Sequence, residues 1–187
     1  MKALALILVI SAWTSRLHAQ GTVVMPDAPL DSARAALRDD LLTFRDSLST
    51  IDAAAARLYR DYRQASEAIL LSRARVMTEA CTRGGRNVPL ARRSVQASQA
   101  SNQARRQTRK ELLGALDRLT KVLTGCQAEF QSFSRPGQGE AVRGYGNNRA
   151  IRIQAGLREY ERVLARYLHA MGIKVGPLGS RSPAIPG

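Results

Sequence analysis

From Ala80 to Lys110 no residue is acidic, yet Arg83, Arg86, Arg92, Arg93, Arg105, Arg106, Arg109 and Lys110 supply eight positive charges. Between them Ser94 to Ala104 is a low-complexity run rich in Ser, Gln, Ala and Asn. The chemistry open to such a stretch is contact with anions: lipid head groups, phosphorylated polysaccharide or an acidic protein. A solvated helical arm in an arginine-rich chain would carry the same charges. The stretch has no Phe, Tyr or Trp on which bases could stack. Sequence-independent attraction to phosphates would still let it bind DNA in vitro, but no specific nucleic acid is expected as its partner.

Other chemistry needs convergent groups, and the chain offers few. His169 stands alone beside Leu168 and Met171, as a surface or boundary residue rather than a ligand. Asp39 and Asp40 are adjacent and Glu159 and Glu161 two apart, so within each pair the carboxylates point to different helix faces. Gly137-Gln138-Gly139 and Gly144-Tyr145-Gly146 lack the preceding strand and the spacing of a nucleotide loop. Neither catalysis nor a cofactor or metal is expected.

The first nineteen residues read as a secretory signal peptide: Lys2, an apolar run from Ala3 to Trp13, and a small residue, Ala19, before a cleavage point at Gln20. The run is too short to span a bilayer. The expected location is therefore periplasmic or secreted. Removing Lys2 and Arg16 from the 29 basic residues leaves 27 against 15 acids, a net charge of +12, which attracts anionic partners over a range that salt screens.

Behind these residues the chain is helical by pattern. Small or apolar residues recur at alternating spacings of four and three at Leu37, Leu41, Phe44, Leu48, Ile51, Ala55, Leu58, Tyr62, Ala65, Ile69, Ser72 and Val76. A helix brings such positions onto one stripe. The spacing predicts an extended lead-in over 20–30, a first helix over about 31–83 capped by Asp31 or Ser32, and a stop at Gly84-Gly85. With Pro89 in its first turn, a second helix follows over about 89–134, with a seam at Leu112, Leu116, Leu119, Leu123, Cys126, Phe130 and Phe133. A glycine-rich loop over 135–147 leads to a third helix over about 148–171, with Ala150, Ile153, Leu157, Tyr160, Leu164, Tyr167 and Met171 in register. The tail from residue 173 is expected to be disordered. The resulting fold class is all-α, an elongated antiparallel coiled-coil hairpin with a third, shorter helix completing a three-helix base, residues 31–172 forming the domain. Its basic tip would be a two-helix arm.

The two cysteines strain that arrangement. In an exported chain two cysteines ordinarily pair, but a turn near Asn87 puts Cys81 about 33 positions, roughly 50 Å, from Cys126. A disulfide needs the Cα atoms within about 7 Å. The hairpin therefore implies free, partly buried thiols or a bridge between chains, whereas an internal bond would move the turn to near Ser101–Gln103. In composition the chain is similar to exported helical proteins of bacterial envelopes that act as chaperones or spacers. The expected function is a non-catalytic interaction or structural protein of the envelope whose basic tip contacts an anionic envelope component or acidic protein. Peripheral membrane contact and self-association are compatible with it. The alternative is a periplasmic holdase-type chaperone for unfolded exported proteins.

Overall fold

Three of the four long helices follow the expected seams, but the chain turns at two places where the spacing does not show it. A computed structural model describes residues 28–173. The expected signal peptide, most of the expected lead-in and the residues after Ile173 lie outside the described residues. Within them α1 (Ala28–Asp61), α2 (Glu67–Ala97) and α3 (Gln103–Phe133) are followed by a single turn α4 (Gly139–Ala141), a π-helical turn (Val142–Gly146) and α5 (Asn147–Ala170). The all-α expectation holds.

Each long helix packs antiparallel on the next: α1 on α2, α2 on α3, α3 on α5, and α5 back on α1. Ser94 Oγ reaches Asp40 between α1 and α2, Cys81 reaches Cys126 between α2 and α3, and Arg118 meets Glu159 between α3 and α5. Between α5 and α1 the rings of Phe44 and Tyr160 meet edge to face at 5.5 Å. This is an up-down-up-down four-helix bundle, not a long hairpin with a three-helix base. Helices α1 and α3, which the hairpin would have paired, lie diagonally across the core.

The expected first helix over 31–83 is two helices. It begins earlier, at Ala28, and breaks after Asp61; Gln64 and Ala65 close a turn on the Asp61 carbonyl. The break resets the phase of the seam. Instead of Ile69, Ser72 and Val76, α2 buries Leu70, Ala74, Met77, Cys81, Gly84, Val88, Ala91 and Val95, again spaced by fours and threes. Ile69 and Val76 are left exposed. The expected stop at Gly84-Gly85 is the middle of α2. Gly84 is there for close approach: a Cβ on it would lie 2.7 Å from Ile51 Cδ1 and 3.4 Å from Leu123 Cδ1. Pro89, expected in a first turn, is inside α2 on its exposed side, where water can take the carbonyl left without a donor.

The second expected helix loses residues 89–97 to α2. The α2–α3 turn falls at 98–102, with Asn102 as the N-cap: its Oδ1 accepts from the Arg105 amide at 2.8 Å. That turn allows Cys81 and Cys126 to pair, with Cα atoms 6.1 Å apart and both side chains buried. The expectation of free or interchain cysteines is thus overturned. The end of α3 at Phe133 and the span of α5 agree with the spacing. The 135–147 loop is shorter than expected, because helix resumes at Gly139. It crosses the end of the bundle: Gly139 lies against Glu67 of α2, Val142 is buried, and Gly146 faces Leu58 of α1 and Phe130 of α3. Helix α5 ends in a Schellman motif, with Gly172 at φ +74° and bonds from Gly172 N to His169 O and from Ile173 N to Leu168 O.

Candidate basic interface

A helix ends with carbonyls that lack donors and with a partial negative charge, so a guanidinium is well placed there. Three arginines are used in this way, each at the end of a different helix. Arg109 on α3 donates from Nε to Val95 O of α2 at 3.1 Å and from Nη2 to Gln96 O. Arg105 donates from Nε to Ala170 O at the end of α5 at 3.1 Å and from Nη1 to Ser101 Oγ at 2.9 Å. Arg143, in the π-helical turn, donates to the carbonyls of Tyr62, Arg63 and Ala65 just past α1. Part of the arginine excess therefore closes the fold.

The eight cations of the acid-free stretch divide accordingly. Arg105 and Arg109 are helix caps, and Arg92 forms an ion pair with Asp117 of α3. Arg83, Arg86, Arg93, Arg106 and Lys110 are exposed and in no ion pair among the described residues. They do not sit on a two-helix arm, since the α2–α3 hairpin is packed against α1 and α5 along its length. They lie along the outer side of α2 and the first turns of α3. The register set by Cys81 and Cys126 places Arg86 level with Lys121, an exposed cation that the acid-free criterion missed because Glu111 and Asp117 precede it. The stretch is acid-free in sequence but not in space. Asp40 accepts from Ser94, Asp117 pairs with Arg92, and Glu111 pairs with Arg166.

The remaining ionisable groups are explained by packing. Burial raises the Tyr160 hydroxyl above its usual range, and it raises Tyr167 against the opposing effect of the Ser98 hydrogen bond. The Glu161 carboxyl is raised by burial and by Asp52, with Arg45 opposing. His169 is exposed on α5. Among the described residues no group of three His, Cys, Asp or Glu side chains converges to hold a metal, and no helix is long and apolar enough to cross a membrane. No protein-family model matches the chain, and no curated protein or solved structure is significantly similar to it.

Proposed function

We propose that this is an exported, non-catalytic helical-bundle protein that works by contact, with the outer α2–α3 surface meeting an anionic partner of the envelope. The observation that carries the reading is the set of five unpaired, exposed cations, Arg83, Arg86, Arg93, Arg106 and Lys110, joined by Lys121 on the same side. Arg92, Arg105 and Arg109 leave the contact set because their guanidiniums already serve the bundle. Export is supported by the leader-like first nineteen residues and by a buried cystine, which persists in oxidising compartments and is rare in reducing ones.

The test is a photo-crosslinking residue at Gln99, in the α2–α3 turn, in cells of the native host. A discrete adduct is expected, lost when Arg83, Arg86, Arg93 and Arg106 are changed to Glu with the helical spectrum intact. Capture unaffected by those four changes contradicts the surface. Aggregation of unfolded exported proteins suppressed by the isolated protein, with no discrete adduct, would favour the holdase alternative.

A further inference from the structure

The opposite pole of the bundle has a different chemistry. At the α1–α2 turn the sequence Arg57-Leu58-Tyr59-Arg60-Asp61-Tyr62-Arg63 alternates arginine with tyrosine. Tyr59 is 49% exposed, Ile69 on the first turn of α2 is 44% exposed, and Tyr145 on the π-helical turn is 73% exposed. These are three of the six large apolar side chains exposed among the described residues, gathered at one end. Arg57, Arg60, Arg63 and Arg135 are exposed at the same end and in no ion pair among the described residues. The acids of this pole are occupied: Asp61 with Arg73 at 2.8 Å, Glu140 with Arg143 at 3.2 Å, and Glu67 with the Gly137 amide at 3.0 Å. A cavity of about 300 Å³ opens between the helices, lined by Arg60, Asp61, Gln64, Ala65, Ile69 and Arg73. Ala28 and Ile173 lie at the other end, so the described chain neither enters nor leaves here.

We infer that this pole seats the bundle end-on against an anionic lipid bilayer, the cavity beside Arg60 receiving a phospholipid head group while Tyr59, Ile69 and Tyr145 enter the interfacial layer. Arginine beside tyrosine suits that layer, where one end of the ring is apolar and the other wet. Basic residues near an anionic surface each add to the attraction. An exposed isoleucine has no role in a purely electrostatic contact with a polyanion or a duplex, and this favours lipid. The site is separate from the α2–α3 surface and stands without it.

The test is co-sedimentation of the full chain with vesicles containing phosphatidylglycerol or only phosphatidylcholine, at matched salt. Binding to the anionic vesicles is expected, and Arg57→Gln, Arg60→Gln and Arg63→Gln together should weaken it roughly a hundredfold. Arg60→Gln alone should cost roughly fivefold, with an unchanged melting curve. Tyr59→Ser, Ile69→Ser and Tyr145→Ser together should lower vesicle binding at least tenfold while leaving binding to soluble polyphosphate unchanged. Arg158→Gln and Arg162→Gln together, exposed on α5 and part of neither surface, should leave most of the vesicle binding in place. The inference is overturned by absent binding to anionic vesicles, by binding that survives the arginine changes, or by serine changes without effect on vesicles. Tight binding to a DNA duplex that the Arg57, Arg60 and Arg63 changes weaken more than they weaken vesicle binding would overturn it as well.

Discussion

The Tyr160 hydroxyl is buried in the α1–α5 contact and has no hydrogen-bond partner among the described residues. Its ring packs edge to face on Phe44. A buried hydroxyl without a partner costs about 1–3 kcal/mol, whereas the ring contributes through its area. Tyr160→Phe should therefore stabilise the bundle by about 1 kcal/mol, read as a higher melting temperature; a loss of that size would mean the hydroxyl is partnered. The same residue sets an alkaline limit. Burial holds the folded-state pKa of Tyr160 and Tyr167 above the value near 10 of an unfolded tyrosine. Their contribution is then fully present below about pH 10 and is lost as pH rises above it, because the unfolded chain releases protons first. Unfolding monitored from pH 8 to 11.5 should show a falling limb that Tyr160→Phe flattens. Arg105 and Arg109 make a related point. By sequence they are indistinguishable from Arg106 and Lys110, and only the position of the helix ends separates a cap from a free cation.

At the scale of elements, Gly84 and Gly85 look like a stop and act as neither stop nor turn. Inside α2, Gly85 has open space around the position of a Cβ, while Gly84 is packed against Ile51 and Leu123. Gly85→Ala should raise stability by about 1 kcal/mol through helix propensity. Gly84→Leu should destabilise by more than the 1–3 kcal/mol typical of an overpacked core. If α2 ended at these glycines, with Gly85 in a left-handed cap, Gly85→Ala would destabilise instead. Three of the four seams were legible, since α1, α3 and α5 bury the residues their spacing selects. The break at 62–66 was not, because Tyr62-Arg63-Gln64-Ala65-Ser66 holds neither Gly nor Pro and its carbonyls are taken by Arg143, 78–81 positions away. Ser66 before Glu67 was the weak local signal of a new helix start. For the second turn the stronger clue was the cysteine pair, whose midpoint, between Gln103 and Ala104, falls within two residues of Asn102, a ready N-cap.

On the scale of the whole molecule, the cystine joins the central pair of helices and fixes which cations share a side. Closing a loop over 45 positions stabilises by about 4 kcal/mol in the chain-entropy picture. Cys81→Ala with Cys126→Ala should cost a comparable amount, seen as a lower denaturation midpoint. The candidate surface was half legible: its charge was visible in the sequence, but its membership depended on folding, which removed Arg92, Arg105 and Arg109 and added Lys121. The proposed export and the internal cystine of the four-helix bundle can be checked together. The most direct measurement is the intact mass of protein recovered from its host, alkylated under denaturing conditions without reduction. The account predicts a monomer beginning at Gln20, free of alkyl label, with Cys81 and Cys126 joined. A labelled chain still beginning at Met1, or a dimer linked through these cysteines, would contradict it.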